Sequence, residues 1–237
     1  MKNTGVIALR EFKSYLASPM AYVVTGIFLV LTGFFFTISP STYFQTSISG
    51  LWYPLGGILL LLVSTILTMR LIAEERKLGT IELLLTAPVR DSEVILGKFF
   101  GSLAILTVML ALTLYYPIML IAFGDPDIGP IVTCYLGLFL LGCATLSVGI
   151  FASSLTSNQI VAAVVSGGIL FAMWFLDWAS GFLPAALTKV ISYTSLAYYF
   201  PDFMSGIIDT RGIIFYLSVS ALFLFLAVRS LENSRWN

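Results

Sequence analysis

Histidine is absent from all 237 residues of this chain. That removes the commonest general base and the commonest metal ligand together. No Ser-His or Cys-His nucleophilic pair can be built, which excludes histidine-dependent serine and cysteine hydrolases. Charge is scarce as well: Asp, Glu, Lys and Arg make up 10% of the chain and cancel to a formal net charge of zero, so nothing points to a nucleic-acid surface. Cysteine occurs twice, at Cys134 and Cys143, nine residues apart in one apolar run. Nine steps of about 100° place them on opposite faces of a helix, where they cannot bridge and read as small buried apolar residues. No Gly-x-Ser-x-Gly elbow and no Gly-x-x-x-x-Gly-Lys-Ser/Thr phosphate loop is present, since Gly97-Lys98 is followed by Phe99. Asp125 and Asp127 flank Pro126, but two carboxylates are too few for a metal site and suit a tight turn.

What the chain has is apolar length. It is 59% hydrophobic, with a mean hydropathy of +1.00, a composition of the membrane class. A spanning helix needs about 20 mainly apolar residues. Six uncharged runs meet or approach that length: Met20–Ile38, Pro54–Met69, Phe99–Phe123, Ile128–Ala152, Ile160–Leu176 and Gly212–Val228. The expected fold is therefore an all-α integral membrane bundle, with 1–237 as one transmembrane domain: 1–19 ahead of the bundle, 20–228 the six spans, and 229–237 a tail. The start of the chain shows no cleavable signal-peptide pattern. Ten of the twelve Lys and Arg residues fall in the N-terminal segment, the second connection and the tail, leaving only Lys189 and Arg211 on the other side. By the positive-inside rule both termini are cytoplasmic.

Two segments are too short to span. Val6, Leu9, Phe12 and Leu16 recur at helical spacing opposite Arg10, Glu11, Lys13 and Ser14, which predicts an amphipathic interfacial helix ending near Ser18-Pro19. The outer connection 177–211 contains LTKVISYTSLAYYF between Pro184 and Pro201, which predicts a broken, re-entrant or interfacial segment with Tyr193, Tyr198 and Tyr199 at headgroup level.

The spans hold no Asp, Glu, Lys, Arg or His, so the bundle is poorly equipped to bind a coupling proton or ion. Energy for uphill work would come from outside. The charge instead gathers in EERKLGTIELLLTAPVRDSEVILGK, Glu74 to Lys98, which holds nine of the 24 charged residues. Thr80 can cap a short helix carrying Glu82 in its first turn and Ile81, Leu83, Leu84 and Leu85 after it, with Ala87-Pro88 as the stop. Asp91 or Ser92 can cap a following helix that runs through Lys98 into the third span. A charged loop beside a membrane can be a positive-inside anchor. Five acids against four bases between Glu74 and Lys98, however, suit a protein partner better than a lipid patch.

These residues carry a resemblance. Glu75, Gly79, Thr80, Glu82, Leu83, Leu84, Pro88, Gly97 and Lys98 resemble the signature between the second and third spans of ABC-2 type transporter permeases. The N-terminal helix, six spans and broken outer segment extend the likeness to the whole chain. REFKSYLASPMAYVV further resembles the gliding-motility-associated branch. The resemblance implies the membrane subunit of an ATP-driven exporter in the bacterial cytoplasmic (inner) membrane. Two permease chains, identical or related, would form the pathway, with two cytoplasmic ABC ATPase subunits bound below and room for an accessory extracytoplasmic subunit. It implies no catalytic residue, metal or cofactor on this chain, ATP and magnesium being held by the ATPase, and no nucleic-acid partner. The element around Thr80–Thr86 would be the coupling helix, with Leu83, Leu84 and Leu85 as docking surface, Glu75 and Glu82 as polar contacts, and Gly79 and Pro88 setting its shape. Gly97 and Gly101, at Gly-x-x-x-Gly spacing, would pack spans closely. The alternative is a non-transporting membrane anchor or platform for an ATPase-driven complex. A self-powered carrier is disfavoured by the uncharged spans.

Overall fold

The computed structural model describes residues 2–38, 55–80, 89–123, 126–180 and 191–233. Among them there is no strand. The helices are α1 (Lys2–Ala17), α2 (Pro19–Ile38), α3 (Leu55–Thr68), α4 (Ala73–Lys77), α5 (Asp91–Thr113), α6 (Tyr115–Phe123), α7 (Ile128–Ser154), α8 (Gln159–Ser180), α9 (Phe200–Met204) and α10 (Thr210–Asn233). Six helical stretches are long and apolar enough to cross a membrane: Pro19–Thr37, Gly56–Lys77, Asp91–Ala122, Ile128–Ser154, Gln159–Trp178 and Thr210–Asn233. They coincide with the six expected runs, and the second, third and sixth extend a turn or two beyond them.

Three of the helix starts are capped by side chains. Asp127 accepts the Gly129 N–H at 3.0 Å ahead of α7, Asn158 accepts the Ile160 N–H at 2.9 Å ahead of α8, and Asp209 accepts the Arg211 N–H at 2.9 Å ahead of α10. Each satisfies a backbone donor that the first helical turn leaves unpaired. Asp127 thus has the turn role expected of it, while Asp125 lies outside the described residues. Pro19 opens α2, where its missing N–H costs nothing.

Helix α7 is the axis of the bundle, packing against α3, α5, α8, α9 and α10. Every residue from Leu140 to Ile150 is buried, as the middle of a central helix requires. Cys134 and Cys143 are buried free thiols in this wall. Glycines set the close crossings: Gly137 receives Phe203, Gly142 receives Leu106 and Gly149 receives Thr68, each a place where a Cβ would force two helices apart. By contrast, α2 and α8 turn apolar faces outward, with Tyr22, Ile27, Val30 and Phe34 on one and Ile160, Val164 and Trp178 on the other exposed.

The third span breaks between α5 and α6, and Pro117 explains the break. Proline cannot donate to the carbonyl four residues back, that of Thr113. That carbonyl instead accepts the Tyr135 hydroxyl at 2.9 Å, from α7. Tyr116, beside the proline, donates to the Leu29 carbonyl at 3.1 Å and ties α6 to α2.

The segment before the last span folds back into the bundle. Leu196, Phe200, Phe203 and Met204 are buried. The Leu196 N–H donates to the Met173 carbonyl at 3.1 Å, and Tyr216 donates to the Leu196 carbonyl at 2.8 Å. Thr133 donates to the Phe203 carbonyl at 2.7 Å. Irregular backbone in a bundle survives only when its polar groups are met in this way. Tyr193 and Tyr198 remain partly exposed, but Tyr199 is buried with its ring 5.0 Å from that of Phe215. The Tyr199 ring is therefore an interior packing surface, unlike those of Tyr193 and Tyr198.

Candidate functional site

The charged residues converge at one end of the bundle, where α1, the end of α3, α4 and the start of α5 meet. Helix α1 lies along the first turns of α5, and the two glycines make this possible. A Cβ on Gly97 would stand 2.6 Å from the Ile7 side chain, and one on Gly101 would stand 2.6 Å from Glu11 Cβ. The Gly-x-x-x-Gly spacing does create a close crossing, but the helix that fills it is α1 rather than another span. Val6, Leu9 and Leu16 stay exposed on the far side of α1.

Lys98 lies in this crossing. Its side chain is 2% exposed, and its Nζ donates to Glu11 Oε1 and to Glu75 Oε1, both at 2.8 Å. One buried ammonium therefore joins three elements: α1, α4 and α5. A buried lysine is tolerated only when its charge is met this closely, and loss of one partner leaves the remainder uncompensated. The two carboxylates exceed the one ammonium, but Arg10 and Arg70 line the same cavity of about 850 Å³ and offset the excess. Glu75 Oε2 is buried with no hydrogen-bond partner among the described residues.

Two further ties hold the same end. Tyr15 is buried, donates to the Leu67 carbonyl at 2.6 Å, and carries the Arg70 guanidinium 5.1 Å above its ring centre. Arg70 also donates to Ser18 Oγ at 3.1 Å. Burial pushes the Tyr15 hydroxyl well above its ordinary pKa, with Arg70 opposing the shift, so it stays a neutral donor. The second tie comes from α7. Between α3 and α4 the helical ladder is interrupted, and α4 has no side-chain cap of its own. Ser153 supplies one: its Oγ accepts the N–H groups of Ile72 and Ala73, both at 3.1 Å, and donates to the Met69 carbonyl at 3.2 Å.

Among the residues singled out from sequence, Glu75 is in the clasp. Gly79 follows α4 with φ of 71°, the left-handed value that glycine adopts without a Cβ penalty after a helix end. Thr80 donates back to the Glu75 carbonyl at 3.3 Å. Glu82, Leu83, Leu84, Leu85 and Pro88 lie outside the described residues. The cap of α5 differs from the expectation of Asp91 or Ser92: the capping position is Arg90, whose N–H donates to Glu93 Oε2 at 3.4 Å, and Asp91 is buried in the first turn. Sequence reasoning missed Glu11, Tyr15, Arg70 and Ser153. Glu11 read as part of a solvated face, and a serine near the end of an apolar run carries no signal of its own.

The described residues contain no group of three or more His, Cys, Asp or Glu placed to hold a metal. The site is a mechanical joint: it fixes the geometry of the chain on either side of residues 81–88. The family model for ABC-2 family transporter protein matches residues 38–194. The chain is also similar to a protein of Escherichia coli strain K12 named as a probable multidrug ABC transporter permease, with 28% identity over 191 residues. That match covers 76% of this chain and 48% of the relative, so the chain spans about half the length of the curated relative. The corresponding protein of Escherichia coli O157:H7 matches to the same extent.

Proposed function

The chain belongs to the ABC-2 family of transporter proteins, a multi-pass membrane family, and on that premise we propose that it is the permease subunit of an ATP-driven exporter. Two such chains, identical or related, form the pathway. Two copies of a separate cytoplasmic ATPase bind the face that carries Glu74–Lys98 and hold the nucleotide and magnesium. Ten of twelve positive residues lie at the ends and connections assigned to that face, which supports a cytoplasmic placement of both termini in a bacterial inner membrane. Helix α1, with Val6, Leu9 and Leu16 exposed, lies in the inner interface.

The observation that carries this reading is the Lys98 clasp. A push on residues 81–88 arrives at α4 on one side and α5 on the other, and Lys98 binds both to α1. Ser153 passes the load to the axis helix α7, and Arg70 passes it to the start of α2. The described residues on both sides of 81–88 are thus tied into one joint through which nucleotide-driven movement would pass. Leu83, Leu84 and Leu85 form the docking surface, Glu82 adds a polar contact, Pro88 fixes the exit of the loop, and the free oxygen of Glu75 accepts a donor when the partner is seated.

The test is affinity capture of the chain in mild detergent with identification of the soluble protein that accompanies it. A P-loop ATPase is expected with the wild-type chain and is expected to be lost from the Leu83→Ser/Leu84→Ser variant. Capture of the same ATPase by wild type and variant alike would overturn the docking assignment. Its absence across several detergents would return the loop to a positive-inside charge cluster and revive the self-powered carrier.

A further inference from the structure

Helix α4 faces two cavities, and the second is chemically unlike the first. Glu74 and Glu75 line the clasp cavity, whereas Arg76 lines a separate cavity of about 460 Å³ between α4 and the ends of α7 and α10. Its other walls are Arg229 and Ser230 of α10 and the apolar side chains of Phe151, Leu155 and Leu226. Among its described lining residues there is no carboxylate, and two guanidinium groups share its apolar floor. Arg76 Nε is buried with no hydrogen-bond partner among the described residues. Arg229 does pair with Glu232 at 2.8 Å, but that pair is exposed on both sides and leaves most of the guanidinium donors available. Ser230 donates to the Ser154 carbonyl at 3.1 Å and keeps an oxygen at the cavity wall.

The approach to the cavity is as specific as its floor. Leu222, Phe225, Leu226 and Arg229 occur at intervals of three, one and three, which aligns them in one stripe of α10. Leu222 and Phe225 are more than half exposed, and the Arg229 guanidinium lies 5.2 Å from the centre of the Phe225 ring. An exposed apolar stripe thus runs up the membrane-facing side of a spanning helix and ends in a basic cavity at the polar boundary. That sequence of surfaces, acyl-facing and then anion-binding, matches one amphiphile.

We infer that this cavity binds the phosphate headgroup of an anionic phospholipid from the leaflet on the charged side, with Arg76 and Arg229 on the phosphate and the acyl chain along Leu222 and Phe225. Basic pockets between spanning helices at this level recognise such headgroups, and each arginine near the surface contributes a similar increment. A lipid so placed would wedge α4 against the end of α10 and load the joint from the side opposite Lys98.

The experiment uses the full chain in phosphatidylcholine nanodiscs doped with phosphatidylglycerol, followed by release and native mass spectrometry of the lipid that remains bound. Phosphatidylglycerol should be retained over phosphatidylcholine. Arg229→Gln should cut that preference about fivefold and Arg76→Gln/Arg229→Gln roughly 25-fold, while Arg229→Lys should keep most of it. Arg10→Gln, on the other cavity, should leave it unchanged. The inference is overturned if the double variant retains the lipid as the wild type does. An equal loss with Arg10→Gln would overturn it in favour of diffuse surface attraction. Displacement by glycerol phosphate at equal concentration would overturn it in favour of a soluble anion. Loss of a co-purified protein with lipid retention intact would make the cavity a protein dock instead.

Discussion

The two ends of this bundle are closed by different chemistry. At the charged end an ammonium, two carboxylates and a guanidinium over a tyrosine ring join α1, α2, α3, α4 and α5. At the opposite end neutral hydroxyls and a tilted ring pair do the joining: Thr133 to Phe203, Tyr216 to Leu196, and Tyr199 against Phe215. Neutral hydrogen bonds contribute about 1 kcal/mol each and can exchange partners cheaply, whereas a buried ionic clasp is costly to open because each ion left behind is uncompensated. The charged end therefore resists relative movement of its helices, and the opposite end tolerates it. Such an asymmetry suits a machine driven at one end and opened at the other.

The sharpest way to break the comparison is Lys98→Met. It leaves Glu11 and Glu75 facing each other without their cation, and a destabilisation of about 3–5 kcal/mol is expected, read as a lower midpoint of thermal unfolding in detergent. Adding Glu11→Leu and Glu75→Leu should recover most of that loss, because an apolar core of similar volume replaces the ion cluster. A single variant as stable as wild type would place the charged end in the same class as the neutral one.

A smaller effect is expected at Ser153. Ser153→Ala leaves the N–H groups of Ile72 and Ala73 without their cap, at a cost of about 1–2 kcal/mol. Hydrogen exchange should localise the change to α4 and spare α9. The smallest belongs to the opposite end: Tyr216→Phe removes one hydroxyl from the Leu196 carbonyl, for about 1 kcal/mol. Capture of the ATPase should be unaffected, and impaired capture would mean that the two ends are not separable.

Much of this architecture was legible in the residues. Six apolar runs announce six spans because hydrocarbon thickness sets their length, and Pro184, Pro201 and the polar residues between them announce a segment that cannot cross. The helix that leads into the third span was legible to within a residue, since it begins at Asp91; only its capping position, Arg90, was not. The clasp was not legible at all. Lys98 lies 87 residues from Glu11 and 23 from Glu75, and a lysine at the edge of a charged loop looks like an anchor until the fold buries it. Ser153 failed to signal for the same reason, since its partners are supplied by other elements.

Under the proposed function, α1, α4 and α5 move as one body around Lys98 when the partner ATPase closes. Nitroxides at the exposed positions Leu9 and Leu78, in a chain with Cys134 and Cys143 replaced by alanine, give the distance across the joint in the assembled complex. A single narrow distance that is the same without nucleotide and with ATP is expected for wild type, broadening in Lys98→Met. A wild-type distance that shifts when ATP binds, or a Lys98→Met distribution as narrow as wild type, would contradict the account.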